Sequence, residues 1–276
     1  MSNLILSPET AATLQTLARD LPHAILLTGQ TGVGLMTAAR SIAGKSLEDI
    51  VMPTDREGAL DLSPKGIIRA KQIRQLVEHA STKARAQRVF IIDDADQMNT
   101  TAQNAFLKLL EEPVSHTHFI LTSHAPHKLL PTVRSRVQTT TIQALTRAQS
   151  DELLTTLGVS DATARAQMLF LASGLPAELT RLATNKNHFA HESAYIRDAR
   201  AFLQGNSVEQ VTTIERYQKS REDSLGLLAS AQRILNHSLR TQPTTELIAK
   251  AEILATAYDR IAANGNIRLQ LMACIV

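Results

Sequence analysis

The sequence has 276 residues, of which 43% are hydrophobic and 20% are charged, a composition that supports a packed core and argues against disorder. A single cysteine, Cys274, excludes an internal disulfide framework and a cysteine-rich zinc module. The formal net charge of +3 is too small to indicate a nucleic-acid partner by itself, and a 3% aromatic content argues against base-stacking platforms.

The first half of the chain alternates short apolar runs with helical periods, which predicts an α/β fold with a parallel sheet. A helix from Ser7 towards Asp20 opens the chain, and the apolar run 24–28 is typical of a buried parallel strand. A glycine loop and a second helix follow that strand. Further strands are predicted at 88–92, 118–122 and 137–142, and further helices at 66–84 and 99–113.

The second half of the chain predicts helices only. Three helical segments near 147–157, 161–173 and 176–184 form a small unit, and residues 190–276 form a longer helical one.

The loop after the first strand fits the phosphate-binding pattern G-x-x-x-x-G-K-[ST], with Gly29 and Gly34 at the two glycine positions and Gly32 between them. In that pattern, backbone N–H groups cradle phosphates, the lysine neutralises them and the hydroxyl ligates magnesium. Here Leu35 stands at the lysine position and Met36 at the hydroxyl position. An ordinary tight turn from strand to helix explains the glycines equally well. We therefore predict a degenerate nucleotide site that does not hydrolyse ATP.

Two adjacent carboxylates, Asp93 and Asp94, end the strand at 88–92. In nucleotide hydrolases such a pair holds magnesium and orients the attacking water. An acidic loop that caps the next helix is the alternative, and it accounts for Asp96. Without the loop lysine, two carboxylates repel a triphosphate unless a metal bridges them. The pair therefore predicts the shape of a nucleotide site without its chemistry.

Residues 99–113 read NTTAQNAFLKLLEEP, and residues 130–137 read LPTVRSRV. Periodicity alone predicts an amphipathic helix with Ala105, Phe106, Leu109 and Leu110 facing the core. The order of the residues resembles the N-A-L-L-K-x-L-E-E-P-P and L-P-x-T-I-x-S-R-C elements of the AAA+ subunits of bacterial replicative clamp loaders. The resemblance is dense over 21–142, beginning with LPHA at 21–24, and thinner to the NGNIRL run at 264–269.

Within that family the chain is most similar to the delta-prime type of DNA polymerase III subunit, whose phosphate loop often lacks the lysine while the S-R-C arginine is kept. Three features depart from the family pattern. Val137 replaces the cysteine of that element, and 44–66 contains no cysteine, so no structural zinc or other metal is implied. Around 174–177 the sequence lacks the arginine with which the motor subunits of the family sense the γ-phosphate. The nearest arginine, Arg181, is better explained as a solvated charge on a helix.

The resemblance implies a RecA-like AAA+ domain at 1–144, a small helical lid at 145–188 and a helical collar for oligomerisation at 189–276. It implies a non-hydrolysing subunit that braces the ATPase subunits during sliding-clamp loading in DNA replication. No cofactor of its own is expected, because ATP and magnesium would be bound by partner subunits. The implied partners are gamma/tau-type ATPases, a delta-type subunit, the sliding clamp and primer–template DNA.

Arg136 matches the S-R-C arginine, and the resemblance implies an arginine finger that acts in trans on the ATP of a neighbouring subunit. Ser135 belongs to the same catalytic element, whereas Arg134 lies off the family position. A guanidinium suits this role because its planar, permanently charged fork binds phosphate oxygens in two places. A surface arginine paired with a carboxylate is the alternative.

The segment 65–88 carries seven basic residues and one acidic residue, Glu78. Phosphate contact along such a face would be independent of sequence and sensitive to salt. A solvated helix face is the equally simple alternative. We predict weak contact with primer–template DNA through four of these side chains: Lys65, Arg69, Lys71 and Arg74.

No apolar run in the sequence approaches the roughly 18 residues of a membrane span, so a cytoplasmic protein without a membrane partner is expected. Two other functions stay open. One is an active gamma-type ATPase with a divergent loop, and the other is a DNA-binding adaptor that reuses an AAA+ scaffold.

Overall fold

The structure, a computed structural model, describes residues 7–55, 57–60, 66–82 and 85–275. Its backbone divides into two compact units, Met1–Thr184 and Asn185–Val276. The predicted lid therefore shares a unit with the predicted AAA+ domain. The predicted boundary at 188 falls inside a helix that begins at Lys186.

The first unit is built on a parallel five-stranded sheet with the order β2-β3-β4-β1-β5. Its strands are β1 (Ala24–Thr28), β2 (Leu47–Val51), β3 (Arg88–Ile92), β4 (Thr117–Ser123) and β5 (Gln138–Thr141). Every residue of β1 is buried, as expected for an interior strand of a sheet with helices on both faces. The predicted α/β class is confirmed.

Strand β2 is absent from the predicted elements. Its sequence, LEDIV, exposes Glu48 and Asp49, and it pairs only with β3 at the sheet edge, with a register shift between Leu47 and Asp49. An edge strand with polar residues lacks the continuous apolar run by which the buried strands are recognised.

Helices cover both faces of the sheet and continue into the predicted lid. They are α1 (Pro8–Arg19), α2 (Leu35–Ala43), α3 (Ala70–Ala80), α4 (Thr100–Glu111), α5 (Pro131–Arg134), α6 (Arg147–Thr156), α7 (Ala162–Ala172) and α8 (Pro176–Thr184). Helix α4 begins where predicted, because the Asn99 side chain accepts a hydrogen bond from the Ala102 N–H. Helix α3 is shorter than predicted, since Ile68 pairs with Met98 in an isolated bridge before the helix starts.

Each face of the sheet has its own core. On the α3 and α4 face, Phe119 lies between two other phenylalanine rings, with centroid distances of 5.8 Å to Phe90 and 5.4 Å to Phe106. On the α1 and α2 face, the core contains apolar residues from both helices and from β1. Phe106, Leu109 and Leu110 are buried as predicted, and Ala105 is partly buried.

The second unit is helical, as predicted, with α9 (Lys186–Gln204), α10 (Ser207–Tyr217), α11 (Arg221–Thr241), α12 (Thr245–Ala262) and α13 (Ile267–Met272). Its core includes Phe202, Leu227 and Ile261. The buried carboxylate of Asp198 accepts hydrogen bonds from the Tyr217 hydroxyl at 2.9 Å and from Arg216 at 2.6 Å. Within the residues described, helices long and apolar enough to cross a membrane are absent.

Candidate functional site

The glycine loop connects β1 to the N-terminus of α2, at the carboxyl edge of the sheet. Gly32 and Gly34 have φ angles of 87° and 92°, which only glycine adopts without strain. Gly34 is the N-cap of α2, so the backbone N–H groups of the first helical turn lie at the end of this loop. The backbone shape of a phosphate cradle is present.

The side chains of this loop do not fit a magnesium-bound triphosphate. Leu35, at the lysine position, is 3% exposed and belongs to the same buried cluster as Val33 and Ile142. Met36, at the hydroxyl position, packs against that cluster. The loop therefore offers neither the cation that neutralises the phosphates nor the hydroxyl that ligates magnesium.

The predicted lid contacts the glycine loop directly. The Ala177 N–H donates a hydrogen bond of 3.1 Å to the Gly32 carbonyl. Leu175 packs against the core beneath the loop, and its side chain lies next to Gly32. Apolar side chains and backbone therefore occupy the segment where the family pattern has an arginine, and Arg181 is exposed further along α8.

The acidic pair lies at the end of β3, beside the end of β4. The Thr122 hydroxyl donates a hydrogen bond of 2.6 Å to the Asp93 carboxylate and accepts one of 2.9 Å from the Asp94 N–H. Burial raises the pKa of the Asp94 carboxyl above its ordinary value, and the neighbouring charge of Asp93 adds to this. His124 opposes this rise in pKa and Asp96 adds to it.

His124 is a site residue that sequence reasoning missed. Its Nδ1 lies 2.8 Å from the Gly29 carbonyl oxygen, and because a carbonyl only accepts, Nδ1 carries the proton. Its Nε2 lies 3.9 Å from a carboxylate oxygen of Asp94. His124 thus links the glycine loop to the acidic pair. Its position just after a predicted buried strand was the available signal, since ligand sites form at the carboxyl edge of such sheets.

Arg136 follows α5 and precedes β5 at the opposite, amino edge of the sheet. The two edges are about 13 Å apart, because the five residues of β1 span four steps of roughly 3.3 Å each. Nη1 of Arg136 donates a hydrogen bond of 3.1 Å to the Thr132 carbonyl, and Nη2 of Arg136 lies 3.1 Å from a carboxylate oxygen of Glu111. Ser135 donates to the same carbonyl at 3.1 Å. Sequence reasoning predicted this element but not Glu111 as its partner.

The comparisons with known proteins point to one family. The family profile described as "DNA polymerase III, delta subunit" matches residues 38–146. DNA polymerase III subunit delta' of Bacillus subtilis is 32% identical over 193 residues, which cover 64% of this chain and 58% of that protein. DNA polymerase III subunit gamma/tau of Mycobacterium tuberculosis is 33% identical over 140 residues, 43% of this chain and 24% of that protein. The chain is therefore similar to the AAA+ subunits of clamp loaders.

Solved structures establish the fold of the chain over most of its length. A DNA polymerase III gamma subunit-related protein from Thermotoga maritima has a TM-score of 0.56 and 20% identity, with 95% of this chain and 97% of that chain covered. A RuvB mutant from Thermotoga maritima has a TM-score of 0.51 and 15% identity, with 95% and 88% covered. The predicted RecA-like AAA+ fold with helical C-terminal units is confirmed. The chain spans about a quarter to just under three fifths of the length of the curated relatives named above.

Only some of the side chains of the predicted DNA face are free to contact DNA. Lys65 lies outside the described residues. Arg69 donates hydrogen bonds to the carbonyl and the hydroxyl of Thr54, at 3.3 Å and 3.0 Å. Lys71 and Arg74 are exposed on α3.

A second exposed lysine extends this face. Lys108 of α4 lines the same groove as Arg74, together with Thr101, Asn104 and Glu78. Sequence reasoning missed Lys108 because it lies 34 positions from Arg74, and only the packing of α3 against α4 brings the two together.

We expect Asp94→Asn to stabilise the chain near neutral pH. Because the folded-state pKa of Asp94 is raised, the ionised form costs stability, and that cost grows as the pH rises through the folded-state pKa. Asparagine keeps the shape and tolerates the left-handed backbone found here, where φ is 48°. Urea unfolding should give a higher free energy of unfolding for the variant at pH 8, and the difference should shrink as the pH falls towards 3.8, the ordinary pKa of an aspartate. The exposed Asp20→Asn is the control, and a variant less stable than wild type at pH 8 would contradict the expectation.

Proposed function

We propose that this chain is a non-hydrolysing, delta-prime-like subunit of a clamp loader, which supplies Arg136 in trans to ATP bound by a neighbouring subunit. The observation that carries the proposal is the separation of two features within one unit. The phosphate loop at the carboxyl edge lacks a cation, while an exposed arginine stands at the amino edge. The glycine loop of the chain thus lacks the side chains needed for catalysis, and the guanidinium of Arg136 does not contact that loop.

Arg136 supports a role between subunits. Its side chain is 38% exposed, and the rigid sheet prevents its guanidinium from reaching the loop after β1. A guanidinium placed on another subunit's γ-phosphate would stabilise the charge that develops during phosphoryl transfer. ATP and magnesium would then belong to the neighbour, and this chain would need no cofactor of its own.

The partners follow from the same proposal. Gamma/tau-type ATPases and a delta-type subunit would complete a hetero-oligomeric ring that acts on the sliding clamp in DNA replication. The second unit exposes large apolar side chains at Val208, Ile248, Ile253 and Leu269, which are available for burial against other subunits. We assign the collar role to this unit on that basis.

Primer–template DNA would be a further partner, bound through the exposed basic face of α3 and α4. Lys71, Arg74 and Lys108 give this face positive charge, and the hydroxyl of Thr101 and the amide of Asn104 offer additional phosphate contacts. Such contacts would be weak and independent of sequence.

The isolated chain should show no magnesium-dependent ATP turnover. Its loop lacks both the lysine and the hydroxyl, and the apolar replacement at 35 is packed into the core. Phosphate release should equal that of a no-protein control across an ATP titration. Sustained release that is lost in Asp93→Asn would contradict the proposal and would favour the active gamma-type ATPase.

The DNA face predicts a change in salt dependence. Arg74→Ala with Lys108→Ala should weaken binding of primer–template DNA equally across sequences and reduce the salt slope by roughly one unit per lost phosphate contact. The matched control is Arg181→Ala, an exposed arginine on the helix α8 of the lid. An unchanged slope would assign α3 and α4 to a solvated face.

Purification of the full chain without any DNA polymerase III subunit would favour the alternative of a DNA-binding adaptor that reuses an AAA+ scaffold.

A further inference from the structure

We propose that Glu111 is a positioning residue for Arg136, which holds the guanidinium oriented before a neighbouring subunit presents its ATP. The inference rests on the proposed role of Arg136 as an arginine finger. It starts from the 3.1 Å contact between Nη2 of Arg136 and Oε1 of Glu111. These two residues are 25 positions apart and belong to different elements, so the contact fixes the arginine against a separate part of the fold.

The carboxylate itself stands on a rigid support. Glu111 is the last residue of α4, whose opposite face buries Phe106, Leu109 and Leu110 in the core. His23, just before β1, donates from Nε2 to the Leu109 carbonyl at 2.8 Å. The end of α4 is therefore tied to the start of β1, and the backbone of Glu111 cannot follow a freely moving arginine.

The pairing leaves the guanidinium free to bind an anion. An arginine has five N–H donors. One hydrogen bond goes from Nη1 to the Thr132 carbonyl, and one contact runs from Nη2 to Glu111. Three N–H groups remain for a phosphate, so Arg136 does not have to leave Glu111 before it acts.

The pairing contributes little to folding, which makes a positioning role testable. Both side chains are well exposed, at 38% for Arg136 and 52% for Glu111, and exposed ion pairs add roughly 0–1 kcal/mol to stability. Glu111→Gln should therefore leave the chain folded. The adjacent Glu112, exposed and of the same charge, provides a matched control.

The test uses the complete complex reconstituted with variants of this chain. Glu111→Gln should lower the kcat of clamp- and DNA-stimulated ATP turnover at the served site by about two- to fivefold, the range that an exposed ion pair allows, with KM unchanged. Glu112→Gln should match wild type. Glu111→Gln should add no further loss in an Arg136→Ala background, because both changes remove the same function.

A second readout does not depend on ATP. In the full chain, the guanidinium NMR signals of Arg136 should show slowed rotation about the Nε–Cζ bond, and Glu111→Gln should remove that restriction. Faster turnover in Glu111→Gln would overturn the inference, since the carboxylate would then compete with phosphate. Unchanged turnover in Glu111→Gln, when Arg136→Ala is slow, would overturn it and leave the proposed function standing. If Arg136→Ala itself turns over normally, the proposed function fails and the positioning role fails with it.

Discussion

Removal of residues 185–276 should leave a folded chain that no longer assembles with partner subunits. The cut falls between two compact units, after α8 ends at Thr184 and before α9 begins at Lys186. Each unit has its own buried clusters, so residues 1–184 keep both cores that cover the sheet. The lost segment carries the exposed apolar residues of α10, α12 and α13 that we assign to association.

Size-exclusion chromatography with the partner subunits measures this loss. The truncated chain should elute alone, and it should show a cooperative thermal transition that proves it folded. Assembly by residues 1–184 at wild-type strength would contradict the assignment of the second unit as a collar.

Arg136→Ala should leave the chain folded and assembled and should slow ATP turnover by the complex. Arginine fingers contribute about 10³–10⁵ in rate at a single site in GTPases. A ring has several sites and this chain would serve one, so the loss for the whole complex should be partial. Arg136→Lys should recover little, because a point charge does not reproduce a two-pronged contact.

The matched control for this variant is Arg134→Ala. Arg134 is exposed, lies two residues away and carries the same charge, yet it occupies the end of α5 and not the family position. Stimulated ATPase of the reconstituted complex should fall further for Arg136→Ala than for Arg134→Ala. Equal effects would reduce Arg136 to a general surface charge.

Most of the fold could be predicted because its elements have strong local signals. The apolar runs 24–28 and 88–92 identified buried strands, and Asn99 with Pro113 bounded α4. Strand β2 was missed, since its place in the sheet depends on pairing with β3 and not on its own hydrophobicity. The start of α3 was placed too early because Ile68 is fixed by a bridge to Met98, which no local pattern reveals.

The candidate site, too, could be predicted only where its residues have a local signal in the sequence. Spacing alone identified Leu35 and Met36 as the changed positions of the loop, and the structure adds that Leu35 is buried in the core. His124 and Glu111 were missed because their partners, Gly29 and Arg136, are 95 and 25 positions away. Contacts of that kind arise from strand order and helix packing, so a single sequence carries no direct signal for them.

In the proposed function, this chain gives an arginine to another subunit's ATP and hydrolyses none itself. The most direct measurement compares clamp- and DNA-stimulated ATP turnover of three reconstituted complexes, which contain the wild-type chain, Arg136→Ala or Asp93→Asn. We predict a partial loss of turnover with Arg136→Ala and wild-type turnover with Asp93→Asn. Loss with Asp93→Asn together with wild-type turnover for Arg136→Ala would contradict the claim, because the chain's own nucleotide site would then carry the activity.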